Sequence, residues 1–171
     1  MPRQFVRWVL AIVLVVIAAC SSETFTEIEK DRAPLIGGLE SYSTRDEIIA
    51  KLPPQAETKV IEDTSRHKPG SQPPYQVYVV KVSSYEHLKH SGYLSLTFFN
   101  NRFMQAAFYP DKRNDYIAAL RASGVAVKTG TEYITGHTVV WIGSDFDNKP
   151  YIGWADDRLR AQQRRWLSKY S

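Results

Sequence analysis

The segment Gly92–Tyr109 constrains the fold more strongly than any other part of the chain. Its first half alternates apolar with polar side chains, and Leu94, Leu96 and Phe98 make up the apolar set. A period of two is typical of a β-strand with one buried face. The pair Asn100-Asn101 separates this run from a second apolar run, and asparagine tolerates the positive φ angles of a two-residue turn. The segment therefore predicts an antiparallel β-hairpin.

The rest of the chain alternates helical patterns with further strands. Thr44 and Glu47 have the spacing of a capping box, which predicts a helix over 44–52 that stops at Pro53. Further helices are predicted over 112–122 and 156–169, and further strands over 57–62, 75–82, 138–142 and 151–154. Hairpins outnumber strand–helix–strand units in this order. We therefore expect one α+β domain over 42–171, with an antiparallel sheet built from β-hairpins and covered by helices on one face.

The N-terminus has the pattern of an export signal. Arg3 and Arg7 precede the apolar run Val9–Ala19, whose eleven residues fall short of the about 20 that span a bilayer but suit a signal peptide. The run ends in Ile17-Ala18-Ala19-Cys20, and Cys20 is the only cysteine. These residues resemble the lipobox of a bacterial lipoprotein signal peptide.

That resemblance implies cleavage of residues 1–19 and attachment of lipid to Cys20. Two or three acyl chains hold a protein on a membrane almost permanently. A residue such as Ser21 after the cysteine implies, in enteric-type bacteria, sorting to the outer membrane, with the domain facing the periplasm. A lipidated cysteine is also unavailable for a disulfide or a thiolate metal site.

Residues 20–41 are expected to form the lipidated cysteine and a flexible tether. The segment is rich in Ser, Thr and charge, contains Pro34, Gly37 and Gly38, and sustains no apolar period. Such a tether would let the domain stand away from the bilayer.

The charge of the chain indicates no particular partner. The net charge of +4 includes Arg3 and Arg7, so the cleaved chain carries only about +2. The basic residues of the last helix either form a solvated face or meet lipid phosphates or an anionic glycan. Nucleic acid is not an expected partner.

Catalytic signatures are missing from the sequence. It contains no G-x-S-x-G elbow, P-loop, dinucleotide fingerprint or H-E-x-x-H. Glu62 and Asp63 are adjacent, so in a strand they would point to opposite faces. The sequence therefore predicts a protein that is not an enzyme and has no cofactor.

Two segments resemble metal sites only superficially. Glu86, His87 and His90 lie close in sequence but also suit an exposed connection between strands. Asp145 and Asp147 suggest a calcium loop, but Pro150 stands where such a loop needs glycine. We therefore expect no metal.

The aromatic residues near the C-terminus are candidates for ligand binding. Trp141, Tyr151 and Trp154 fall in the second predicted hairpin, and Trp166 lies in the last helix. Aromatic residues are enriched at binding surfaces but also build cores, and the sequence leaves both roles open.

Two segments of the domain resemble the small α+β lipoproteins of the SmpA/OmlA type, which include the BamE subunit of the outer-membrane barrel assembly machinery. Ser43–Pro53 is similar to the helix of that group, and Tyr93–Phe103 to its strand, Asn/Asp turn and strand. The resemblance implies a fold, and it carries over no functional residue beyond Cys20.

The favoured hypothesis is a lipid-anchored, non-enzymatic envelope protein whose domain binds another envelope component, such as a protein. The alternative is a periplasmic domain that binds or hydrolyses glycan or peptidoglycan through the aromatic and basic C-terminal region.

Overall fold

A computed structural model describes residues 25–171 and shows an α+β domain, as predicted. Its seven strands form one antiparallel sheet in the order β1-β2-β3-β4-β7-β6-β5. The strands are β1 Glu57–Ser65, β2 Gln76–His87, β3 His90–Phe99, β4 Arg102–Pro110, β5 Tyr133–Thr135, β6 Thr138–Ser144 and β7 Pro150–Asp156. The helices are α1 Arg45–Ala50, α2 Arg113–Ala122 and α3 Asp157–Tyr170, and a short 3-10 turn covers Ile36–Gly38.

The central hairpin is confirmed as β3 and β4. Asn100 and Asn101 adopt φ angles of 49° and 57° in its turn. The Asn100 side chain also accepts a hydrogen bond from the Gln76 backbone N–H and donates to the Pro74 carbonyl oxygen. The turn therefore ties the hairpin to the start of β2.

The predicted capping box is present at the start of α1. The Glu47 backbone N–H donates to Thr44 Oγ1 at 3.3 Å, and the Thr44 N–H donates to Glu47 Oε2 at 2.7 Å. The helix ends at Ala50, two residues earlier than predicted. Pro53 and Pro54 lack the N–H groups that another turn of helix would need.

One face of the sheet, here called the first face, carries the larger apolar core. Val80, Leu96, Phe108 and Ile152 belong to it, and α1 and α2 pack against it. The apolar side chains that these two helices contribute are Ile48, Tyr116, Ile117 and Leu120.

The second face carries a separate core beneath α3. Leu159 and Trp166 of α3 pack with Val77, Phe99 and Met104. The expectation that the helices cover one face is therefore wrong, because they are divided between the two. The physical reason is that both alternating sets of side chains are apolar where the strands meet the Asn turn, so both faces need cover there.

Phe25 and much of residues 33–41 are packed on the domain, whereas residues 26–31 are exposed, which corrects the expectation of a flexible tether that continues to residue 41. Phe25, Leu35, Ile36 and Leu39 are buried, and Ser41 donates to the buried Asp156 carboxylate at 2.7 Å. The apolar side chains of this segment have no regular spacing because it has no repeating secondary structure, so the sequence pattern does not predict their burial.

Two observations bear on the membrane. The signal sequence and Cys20 lie outside the described residues. Within residues 25–171, none of the helices combines the length and apolar character needed to cross a bilayer.

Candidate binding face

Four aromatic side chains from four neighbouring strands form a line across the second face, here called the aromatic row. Tyr93 of β3 pairs with Tyr109 of β4, and the pairing of β4 with β7 brings Tyr151 alongside Tyr109. The ring centroids of Tyr93 and Tyr109 are 4.3 Å apart, and those of Tyr109 and Tyr151 are 5.4 Å apart. Trp141 of β6 completes the row, 6.3 Å from Tyr151. All four side chains are half-buried.

Two glycines explain how the larger rings are seated. Gly153 pairs with Trp141, and Gly143 pairs with Tyr151. A Cβ atom at Gly153 would lie 2.4 Å from the Trp141 ring, and one at Gly143 would lie 2.6 Å from the Tyr151 ring. The absence of a side chain at each glycine therefore lets the cross-strand ring cover the backbone, as in aromatic rescue of strand glycines.

Cationic side chains flank both ends of the row. Lys81 Nζ lies 4.4 Å from the centroid of the Tyr93 ring, and Lys149 Nζ lies 4.5 Å from it. At the other end the Arg160 guanidinium lies 4.9 Å from the Trp141 ring and donates to Glu132 Oε1 at 3.0 Å. These are cation–π distances.

The hydroxyls of Tyr93 and Tyr109 remain protonated at neutral pH. Burial raises the pKa of Tyr93 despite the opposing effect of Lys149. Burial also raises the pKa of Tyr109, and the neighbouring Tyr93 and Asp145 raise it further. The row therefore offers apolar ring edges and neutral hydroxyls for contact, which suits binding rather than nucleophilic chemistry.

The structure separates the sequence-predicted ligand residues. Trp141 and Tyr151 meet in the aromatic row, whereas Trp154 is only 4% exposed and belongs to the core on the first face. Strand alternation explains the split, because Tyr151 and Trp154 are three residues apart in β7 and so point to opposite faces.

Sequence reasoning missed Tyr93 and Tyr109. Both lie one residue from a core position, beside Leu94 and Phe108. Their alternation with core residues assigns them to the outer face, and that was the signal that could have found them. Their stacking depends on the hairpin register, which adds one residue to β4 near Met104.

The histidine segment considered as a metal site belongs partly to the core. His87 Nδ1 and the Tyr116 hydroxyl are 2.7 Å apart, and burial lowers the pKa of His87. In residues 25–171, no three His, Cys, Asp or Glu side chains converge as a metal site would require. Asp145, considered as a calcium ligand, accepts the Asp147 and Lys149 backbone N–H groups in the turn between β6 and β7.

A second feature holds the first described residues against the turn between β3 and β4. Arg102 is 1% exposed, and its guanidinium donates to the carbonyl oxygens of Phe25 and Glu27. Asn100 Nδ2 donates to the same Phe25 oxygen at 2.8 Å. The Phe25 ring lies 6.3 Å from Tyr170, near the end of α3. We call this arrangement the N-terminal clamp.

No family model, curated protein or solved structure matches this chain.

Proposed function

We propose that this protein is a lipid-anchored, non-enzymatic component of the bacterial outer membrane whose domain, facing the periplasm, binds another envelope protein through the aromatic row. The observation that carries the proposal is the half-buried row of Tyr93, Tyr109, Tyr151 and Trp141 on a face that α3 only partly covers. Tyrosine, tryptophan and arginine are the residues most enriched at the centres of protein interfaces.

The placement of the rings favours a protein over a sugar chain as the partner. Tyr93 and Tyr109 stack on each other with an interplanar angle of 9°, so each covers one face of the other. Cations lie over the Tyr93 and Trp141 rings. The row thus presents edges and hydroxyl groups, which suit side chains and backbone of a protein surface.

The alternative of a glycan-binding or hydrolytic domain has weaker support. Tyr109 lies beside the Asp145 carboxylate, but Oδ1 of that carboxylate accepts two backbone N–H groups of its own turn. Hydrolysis of a glycosidic bond commonly requires a second carboxyl group at a defined separation. Binding without chemistry is the simpler use of these residues.

The lipid anchor is tested with a Cys20→Ser variant. We expect the wild-type protein to fractionate with membranes, to incorporate labelled fatty acid and to begin at Cys20 by mass spectrometry. The variant should take up no label and leave the membrane fraction. A native protein of unmodified mass that retains residues 1–19 would refute the anchor.

The binding face is tested by placing a photoreactive residue at Lys149, beside the row. Irradiation of intact envelopes should give a discrete cross-linked protein. The same residue at Lys59, exposed on the edge strand β1, serves as the control and should not give that product. Equal cross-linking from both positions would contradict the proposal.

Truncation of one ring measures how much the row contributes. Tyr93→Ala should weaken binding of the cross-linked partner at least about tenfold, as expected for an interface hot spot. Tyr133→Ala removes another half-buried tyrosine, one that packs toward the first face, and is the matched control. A partner that binds the Tyr93→Ala variant normally would exclude the row from the interface.

A further inference from the structure

We propose that the surface formed by the loop before β2 and the end of α3 lies against the anionic headgroups of the bilayer that holds Cys20. This inference rests on the proposed lipid anchor. It adds a second attachment, which would orient the domain on the membrane rather than leave it free to rotate.

The chain between the lipid and the domain is short. The N-terminal clamp holds Phe25 against Asn100, Arg102 and Tyr170. Cys20 precedes Phe25 by five residues, and five residues reach at most about 18 Å when fully extended. The clamped end of the domain must therefore stay close to the membrane surface.

Two other segments of the chain lie beside the N-terminal clamp. Gln72 Nε2 donates to the Tyr170 carbonyl oxygen at 3.1 Å, and Trp166 Nε1 donates to the Pro73 carbonyl oxygen at 3.0 Å. Asn100 bridges Phe25 and Pro74. The loop 66–75, the end of α3 and the start of the described chain therefore meet at one end of the sheet.

The loop 66–75 and the end of α3 carry positive charge. The loop 66–75 contains Arg66, His67 and Lys68 and no acidic residue, and residues 158–171 likewise contain none, whereas the start of the described chain carries Glu27, Glu29 and Asp31 beside Lys30 and Arg32. Arg66, Lys68, Arg164 and Lys169 are exposed. Each basic side chain near an anionic bilayer contributes about 1 kcal/mol, or roughly fivefold in partitioning. We call these four residues the basic end.

The opposite end of the sheet carries the three tyrosines of the aromatic row. The turns between β2 and β3 and between β6 and β7 lie there, and the nine residues of β4 separate the two ends by about 30 Å. Tyr93, Tyr109 and Tyr151 are near that far end of their strands. An orientation with the basic end on the bilayer would therefore present the aromatic row to the periplasm.

The test measures binding of the chain from position 20, carrying Cys20→Ser, to lipid vesicles. It contains all of residues 25–171, which form the packed domain, and it has no acyl chain. We expect it to sediment with vesicles of phosphatidylcholine containing 30% phosphatidylglycerol, and not with phosphatidylcholine alone. About 0.5 M salt should abolish binding because it shortens the Debye length.

Two triple variants of equal charge change separate a specific surface from net charge. Arg66→Glu, Lys68→Glu and Lys169→Glu together should weaken vesicle binding at least about a hundredfold. The matched control is Lys89→Glu, Lys112→Glu and Lys128→Glu, three exposed lysines away from the clamp, and it should change binding less than about fivefold. Circular dichroism establishes that both variants are folded.

Equal loss of binding in the two variants, or no binding by the parent chain, would overturn the proposal. Because the tested chain is not acylated, this outcome is separate from that of the labelling experiment on Cys20. A failed anchor with intact vesicle binding, or the reverse, identifies which proposal is wrong.

Discussion

The Asp156 carboxylate is fully buried at the junction of β7 and α3, where two parts of the chain donate hydrogen bonds to it. Ser41 Oγ donates at 2.7 Å from the N-terminal segment, the Arg158 guanidinium donates to both carboxylate oxygens, and the backbone N–H groups of Arg158 and Leu159 cap the helix. Burial acts to raise the pKa of Asp156, but the bonds from Arg158 and Ser41 outweigh it and lower the pKa below its ordinary value. The single side chain thus joins the N-terminal segment to the start of α3.

Asp156→Asn is expected to lower the free energy of unfolding by about 3 kcal/mol, because it leaves the Arg158 guanidinium without its carboxylate. Urea denaturation measures the change. Asp157→Asn is the matched control, since Asp157 is 47% exposed on its side chain and pairs with the exposed His137, and it should cost less than about 1 kcal/mol. Equal effects of the two substitutions would show that burial of Asp156 contributes nothing.

His87 makes stability depend on pH in a defined direction. Burial lowers its pKa below the ordinary value, so the folded state favours the neutral ring more than the unfolded state does. This contribution is complete above about pH 6.5, the ordinary histidine pKa, and is lost as the pH falls below it. In His87→Gln, the difference in unfolding free energy between pH 7.5 and pH 5.5 should be smaller than in the wild type. An unchanged difference would contradict the assignment to His87.

At the scale of elements, the hairpin of β6 and β7 shows how small residues and aromatic rings are matched across strands. Gly153 and Gly143 lie under Trp141 and Tyr151. Each ring fills space that the side chain of a larger residue would occupy at the facing glycine. The position of the row therefore depends on strand register as much as on the aromatic residues themselves.

Gly153→Ala should destabilise the protein by about 1–3 kcal/mol, because its Cβ would overlap the Trp141 ring. Thermal unfolding and tryptophan fluorescence report the change. The double variant with Trp141→Ala removes the clashing ring, so the added alanine should then cost much less than it does alone. Strictly additive effects would contradict direct contact.

The N-terminal segment is a further element held by few side chains. Arg102→Met removes the donors to the carbonyl oxygens of Phe25 and Glu27, and bonds from a charged donor contribute about 1.5–3 kcal/mol each. We expect tryptic cleavage at Lys30 and Arg32 to accelerate at least about tenfold, while the sheet stays resistant. Equal acceleration throughout the sheet would indicate global destabilisation rather than release of the clamp.

At the scale of the whole molecule, α3 and the N-terminal segment close the second face at one end and leave the aromatic row accessible at the other. Removal of residues 157–171 would expose Val77, Phe99 and Met104, which pack under Leu159 and Trp166. We expect this truncated chain to lose cooperative unfolding in urea. Arg164→Ala changes only an exposed position of the same helix and should unfold as the wild type does. A cooperative transition of the truncated chain at the wild-type midpoint would show that α3 is dispensable.

The strand and helix positions follow from local patterns, with a few exceptions. The predicted bounds of the central hairpin, α2 and α3 lie within two residues of the observed ones, because alternation, capping and turn residues are properties of short segments. The short strand β5 was not predicted, since its three residues are too few to show a period. The sequence does not predict the packing of Phe25 and Ser41, because it depends on partners such as Arg102 and Asp156, which are distant in sequence.

The sequence by itself determined the α+β class, the hairpins and the expectation of a lipid on Cys20, since each of these depends on neighbouring residues. Only the tertiary structure decided that α3 covers the opposite face from α1 and α2, that Trp154 is core while Trp141 and Tyr151 share a surface, and that Tyr93 and Tyr109 join them. Those facts depend on strand order and register, which arise when segments far apart in the chain pair and bury both faces of one sheet.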